Sequence, residues 1–448
     1  MHRSRYRHCA LLGAFLAAGP AAAATYAVGP GRPFASLQAL FTDVTLRPGD
    51  VVEVDGGASY PGGAVLRQAG TTAAPIVLRG RRVDGRRPLL SGGVNTIELR
   101  RADHVVVEGF EITGGSSRCV FVNAADVVLR DLLVRDCSGQ GILSSDQDSG
   151  SLTLEYSEIR TSGGGDSRHA LYIQTDEIAH PGAVFRMRYN YLHDGLGGNL
   201  LKSRAERNEI HYNWFENAYY HELELIGPDQ YTQQGGWTPD LRREDSEVLG
   251  NVIVHGGSFG AVIRLGGDGT GESRGRYRIV NNTIVATGSA SNYTVLRLFE
   301  GLESVEAHNN VIHRTTPGSL RIERSTEAAW SLGRRVAGSY NWVPAGATDV
   351  PAEWTGTLLG QAPGFVDAAR FDFRPSVASP LNQAGHPSPA SPAAWPFPAP
   401  TPLPLQLPPI RQPLAPGTGL ARPPEAPPTI GALTGSRPDP VFRSGFDG

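Results

Sequence analysis

From Val51 onward the chain sets hydrophobic and polar residues in short alternating runs, broken by Gly, Asn, Asp and Ser. A period of two places successive side chains on opposite faces of a strand. One run recurs: HVVVEGFEI, DVVLRDLLV, SLTLEYSEI, VFRMRYNYL, NEIHYNWFE, SEVLGNVIV, YRIVNNTIV and VEAHNNVIH. Its anchors are Ile112, Val134, Ile159, Leu192, Phe215, Ile253, Ile284 and Ile312. The tightest lie about 22 to 25 residues apart, the length of one solenoid coil. A second short run follows most anchors: CVFV, GILS, ALYI, LLKS, ELEL, VIRL, VLRL. One such coil cannot bury its own apolar face, whereas stacked coils share a continuous core. The pattern therefore predicts an all-β chain, a right-handed parallel β-helix (solenoid). A β-sandwich would need hairpin turns, and Asn-Gly and Asp-Gly pairs are scarce.

The ends of the chain break this pattern. Phe34, Leu37, Leu40 and Phe41 recur at helical spacing and predict an N-terminal capping helix over the first coil. The coil pattern fades after Ile322. About half of the 34 prolines fall between Pro387 and Pro428, a composition that gives an extended segment rather than a core. The expected organisation is a leader at 1–24, the β-helix at 25–330, irregular closing coils at 331–385, a proline-rich segment at 386–430 and a tail at 431–448. Asn190, Asn213, Asn251, Asn282 and Asn310 each stand two positions before an anchor. They read as an internal ladder in which each amide bonds to its neighbours in adjacent coils.

Composition narrows the function. The formal net charge is −3 and charged residues make up 19%, which argues against a nucleic-acid partner. Arg3, Arg5 and Arg7, then apolar Ala10 to Gly19, then Ala22-Ala23-Ala24 read as a secretory signal, too short to span a membrane. A secreted or periplasmic monomer is expected. Beyond that leader only Cys119 and Cys137 remain, either as a bridge or as two buried thiols.

Candidate chemistry collects on the second runs. If Leu171, Leu201, Leu223, Ile263 and Leu296 point inward, then Tyr172, Lys202, Glu224, Arg264 and Arg297 form an outward column. By the same alternation Leu200, Arg204 and Glu222 also point out. His169, Asn199 and His221 lie three residues back. Lys202 is the only lysine among 41 basic residues, and lysine, unlike arginine, can lose its proton. Long insertions follow these strands at 146–150, 175–181, 227–246 and 266–276. Loops leaving one edge of a stack wall a groove, and Tyr231 and Trp237 on the longest can stack on sugars.

Lys202-Ser203 followed by Asn208, Asn213 and Phe215 resembles the K-S-x4-N-x4-N-x-F pattern of secreted β-helix polysaccharide lyases such as chondroitinase B and related alginate lyases. HALYI and KSRA are similar to segments of secreted bacterial β-helix proteins. The resemblance implies a lysine acting as Brønsted base on an acidic sugar, with calcium and an arginine assisting. The motif spans about 20 residues, and only Lys202 carries over. Where the family has an Arg-His-Gly strand, this chain has His221-Glu222-Leu223-Glu224, and its acidic pair follows the lysine instead of preceding it.

Elimination from a uronate removes the proton α to a carboxylate, which needs a base, a neutralised carboxylate and an acid for the leaving oxygen. Lys202 is the expected base, its proton loosened by Arg204 and Arg264. Tyr172 or His221 is the expected acid. Arg264, Arg297, Asn199, His169 and Trp237 are expected to hold an acidic polysaccharide. Glu222 and Glu224, with Asn199, offer oxygens to Ca2+, or Glu224 equally pairs with Lys202 or Arg264 in a structural ion ladder. A glycoside hydrolase using Glu222 and Glu224, a C5-epimerase, and a non-catalytic carbohydrate-binding protein remain as alternatives.

Overall fold

The computed structural model describes residues 23–228, 244–269, 273–326, 329–330 and 332–435. The charged and apolar parts of the leader, and the chain beyond residue 435, lie outside them. Within the described residues the alternating runs close into coils. Val127–Arg130, Leu133–Arg135 and Gln140–Ser144 make a representative one, with one strand on each of three faces. Successive coils pair in parallel, giving sheets of thirteen, twelve and ten strands. The anchors fall in register, Val134 lying between Ile112 and Ile159. Their side chains are buried in one core that runs through the stack. This is a parallel β-helix.

The bend between the thirteen- and twelve-stranded sheets has a simple local cause. One residue per coil takes left-handed backbone angles: Tyr156, Tyr189, Tyr212, Gly250, Asn281, Asn309 and Tyr340. The next residue carries the ladder. Asn190, Asn213, Asn251 and Asn282 each give the backbone N–H to the side-chain oxygen of the asparagine one coil on, at 2.8–3.0 Å. Each side-chain NH2 donates to the same oxygen and to a carbonyl of the preceding coil, as Asn251 does to Ile210. A left-handed residue turns the chain, and the buried amide satisfies the groups that the turn leaves unpaired.

The ladder also corrects the predicted end of the helix at residue 330. Asn310 N–H donates to Asn341 Oδ1 at 2.9 Å, and strands continue at Val336–Ser339, Trp342–Pro344, Trp354–Thr355 and Leu358–Gly360. The sequence Tyr340-Asn341-Trp342-Val343 repeats the turn and anchor, but polar residues around it weaken the alternation. Only the stretch after Gly360 is irregular, with a short antiparallel pair between Phe365–Asp367 and Asp372–Pro375.

A helix at Leu37–Asp43 starts at Ser36, whose hydroxyl accepts the Ala39 N–H. It buries Leu37 and Leu40 in the core beside Ala64–Leu66. Cys119 and Cys137 form a disulfide between consecutive coils.

The proline-rich segment lies along the outside of the helix. Arg278, fully buried, reaches out of the thirteen-stranded sheet to the carbonyls of Ala399 and Pro400 and stacks on Phe397. Arg411 pairs with Glu216, and Ala432 and Leu433 pack with Trp214, Val252 and Val254 on the twelve-stranded sheet. The segment thus covers parts of two faces and leaves the outer face of the ten-stranded sheet uncovered at the site.

Candidate functional site

The ten-stranded sheet carries the outward column. Tyr172 pairs with Lys202, Lys202 with Glu224, Glu224 with Arg264, Arg264 with Arg297, and Arg297 with Arg324. Neighbours in such a ladder are about 4.8 Å apart, so their side chains share one surface. Beside them the turn residues form a second column: Asn199 N–H donates to His169 Nδ1 at 2.9 Å, and His221 N–H donates to Asn199 Oδ1 at 3.0 Å. The two columns line one cavity of about 490 Å³, with Asp166, Tyr220, Phe259 and Asp268 completing its walls.

Two residues assigned outward are not there. Leu200 lies in the core, and Glu222 is fully buried with its carboxylate on His255 Nδ1 at 2.7 Å and on the Ala218 N–H. The strands begin at Leu201 and Leu223. Each misplaced residue stands one position earlier, in the corner, where strand alternation does not apply. Arg204 is in the cavity wall but buried, with Nε donating to Tyr172 Oη at 3.1 Å and another nitrogen bonding the Gly227 carbonyl. Trp237 and Tyr231 lie outside the described residues.

Around Lys202 the ion-ladder alternative holds, and the expected crowding of its amine by arginines does not. Its Nζ donates to Asp268 at 2.8 Å and stands 3.5 Å from Glu224. Arg204 turns to the same Asp268 carboxylate, and Arg264 turns to Glu224 at 3.2 Å. The amine is therefore held between carboxylates instead of being crowded by arginines. Asp268, which sits in the insertion after the Arg264 strand, escaped the sequence reading. Its Gly-Asp-Gly setting marks a loop and gives no period to follow.

Glu222 and Glu224 do not fit a calcium site. Glu224 already receives Asn199 Nδ2 at 2.6 Å together with Lys202 and Arg264. Glu222 serves His255 on the other side of the strand. A hard cation needs free oxygens, and here the donors to one carboxylate are nitrogens while the second is turned away.

Two groups in the cavity are left without a complement. Arg297 stacks on Phe259 and Phe299, and among the described residues it has no carboxylate at ion-pair distance. Burial and the neighbouring Arg264 and Arg324 push its pKa down. The second is His221. Asn199 gives its NH2 to Glu224, so its oxygen faces His221 Nδ1 at 3.0 Å and that nitrogen must be the N–H donor. Nε2 then carries a bare lone pair, and it is buried with no hydrogen-bond partner. Burial, then Arg297 and Arg264, hold the His221 pKa well below the usual imidazole value, so the ring is neutral. Phe259 packs edge-on against this ring at 4.8 Å. His169 is likewise neutral, lowered to about 3 by burial and by Lys202 and Arg204.

Against known proteins the whole architecture finds parallels. A pectate lyase, Pel9A, matches with a TM-score of 0.50 at 13% identity, over 92% of this chain and 96% of that one. An alginate lyase of the PL6 family, AlyGC, matches at TM-score 0.48 and 14% identity over 75% of this chain and 51% of its own. A GH136 lacto-N-biosidase from Eubacterium ramulus gives 0.44 and 12%, over 75% and 68%. Of these, the likeness to the pectate lyase establishes the parallel β-helix fold, and nothing about chemistry. No family model matches the chain, and no curated protein matches it.

Proposed function

We propose that this chain is a secreted polysaccharide lyase that cleaves a uronate-containing polymer by β-elimination. The observation that carries the reading is the pairing, in one cavity, of an arginine without a carboxylate and a neutral histidine with a free lone pair. Four cations face three carboxylates there: Lys202, Arg204, Arg264 and Arg297 against Asp166, Glu224 and Asp268. The surplus suits one bound carboxylate, and Arg297 is the group without one.

The steps follow from these positions. Arg297, supported by Arg264, takes the uronate carboxylate and draws charge from the adjacent carbon, which makes its proton more acidic. His221 Nε2 accepts that proton. Its Nδ1–H stays on Asn199, whose orientation Glu224 fixes, so the tautomer is set before substrate arrives. Binding an anion at Arg297 also offsets one of the cations that depress His221, raising its basicity in the complex. Phe259 stands over the imidazole, so substrate reaches Nε2 by displacing that ring. Tyr172, whose oxygen accepts from Arg204, has its own proton free to give to the leaving oxygen. Lys202 becomes a donor that aligns Glu224 and Asp268, and the role of base moves from Lys202 to His221.

Hydrolysis by two carboxylates is less well served. A general acid must hold a proton, and both Glu224 and Asp268 are paired with cations. Secretion suits the disulfide, which persists in oxidising compartments. Among the described residues no helix is long and apolar enough to cross a membrane. Monomeric action on an acidic polysaccharide belongs to the same proposal.

The test of substrate class is binding. An oligouronate should bind the intact chain, and Arg297→Gln should weaken it at least tenfold while a neutral oligosaccharide binds neither. Equal binding of the charged ligand to both proteins would remove Arg297 from the site and the uronate from the reading.

A further inference from the structure

Behind the cavity wall, at the corner leading from the ten- to the thirteen-stranded sheet, three successive coils place carboxylates together. Glu206 N–H donates to Thr175 Oγ1, and Asp245 N–H donates to the Glu206 carbonyl, so residues 175–177, 206 and 244–245 are stacked at one corner. Glu206 and Asp176 are satisfied: Glu206 accepts the Gly182 N–H, and Asp176 accepts the N–H groups of Ile178 and Ala179. Glu177 and Glu244 are not. Both are essentially inaccessible to solvent, and all four of their carboxylate oxygens are buried without a hydrogen-bond partner. The hydroxyl of Ser273 accepts the Gly275 N–H and stands near Glu244 without completing a hydrogen bond to it. A third orphan lies nearby: the Tyr277 hydroxyl is buried without a hydrogen-bond partner, next to Ser273 and Gly266 and within electrostatic reach of Glu244.

Four buried carboxylate oxygens and a phenol oxygen without hydrogen-bond partners are costly as they stand. Two carboxylates at one buried corner also repel. Burial and that repulsion push the Glu177 pKa up, and burial pushes Glu244 up as well. One species relieves desolvation, repulsion and unmet lone pairs together: a hard cation, whose ligands are oxygens. Glu206 and Asp176 stay engaged with backbone N–H groups, and among the described residues no group of three or more acids, cysteines and histidines is arranged to hold an ion, so Glu177 and Glu244 would be its carboxylate ligands.

We propose that Glu177 and Glu244 bind a divalent cation, with calcium as the fitting probe. The ion ties together the loop after the Tyr172 strand and the chain entering Asp245–Leu249. Neither glutamate lines the cavity, and the charge of Arg204 in the cavity wall is felt at Glu244. Ser273 brings in the insertion that carries Asp268, through its N–H on the Gly266 carbonyl. The ion therefore braces a wall of the cavity and takes no part in chemistry.

The test uses the full chain, stripped with chelator and titrated with calcium chloride by calorimetry and by thermal unfolding. One ion should bind, and the unfolding midpoint should rise with calcium. In the double variant Glu177→Gln, Glu244→Gln both responses should vanish, while the calcium-free variant melts no lower than the calcium-free parent because the repulsion is gone. As a second reading, terbium bound at the site should show emission sensitised through tyrosine, and Tyr277→Phe should reduce it severalfold. Absence of calcium binding to the parent, or a full calcium response in the double variant, overturns the proposal and leaves two carboxyls sharing protons.

Discussion

His169 shows how one side chain links stability to the site. Its Nδ1 accepts the Asn199 N–H, which a protonated ring cannot do. Burial and the nearby Lys202 and Arg204 lower its pKa from 6.5 to about 3. The unfolded chain therefore binds a proton at this position between about pH 6.5 and 3 that the folded chain refuses. Stability from this residue is complete above pH 6.5 and declines as pH falls through that window, by about 1.4 kcal/mol per unit at most. In His169→Asn, which keeps an acceptor but cannot charge, the acid limb of a stability–pH profile should be shallower. An unchanged slope would mean that the histidine is not held neutral. The outward column was legible at this scale, because Tyr172, Lys202, Glu224, Arg264 and Arg297 follow a period of two. The state of each side chain was not. The carboxylate that Lys202 holds most closely, Asp268, comes from a distant loop, and the free lone pair of His221 depends on which way Asn199 faces.

Among elements, the turn is what organises the stack. A left-handed residue followed by a buried asparagine recurs from Asn190 to Asn341. Asn251→Ala would strip partners from the Asn213 N–H and the Ile210 carbonyl, while the Asn282 oxygen keeps the backbone N–H of residue 251. A loss of about 3 kcal/mol is expected by denaturant unfolding, from two buried backbone groups left unpaired. A loss under about 1 kcal/mol would show that water replaces the amide. The ladder was readable from sequence because its spacing is fixed against the anchors. Leu200 and Glu222 were misread because alternation was carried one residue past the start of a strand. The last coils were missed because Asn341 sits among polar residues, although the Tyr-Asn-Trp turn was present.

For the whole molecule, the proline-rich segment acts as a strap on the two faces away from the site. Composition showed that it forms no core of its own, but not where it lies, since its contacts are backbone carbonyls and scattered rings. Arg278 is buried beneath the strap, held by the carbonyls of Ala399 and Pro400 as well as by Glu247 and Glu306. Ending the chain at residue 385 should expose Arg278, Trp214 and the valines beside it, and lower the thermal midpoint by several degrees. Oligouronate affinity should stay within about twofold, because the strap does not touch the cavity. Lost affinity in a folded truncation would contradict that separation.

The central claim is that a uronate polymer is cleaved by elimination at His221. The direct measurement is product formation by the intact chain on a panel of uronate polymers, followed by ultraviolet absorbance of the unsaturated sugar end. The account predicts growing enoate absorbance matched by new reducing ends, with both abolished in His221→Ala and binding preserved. New reducing ends without absorbance, or absorbance that survives in His221→Ala, would contradict it.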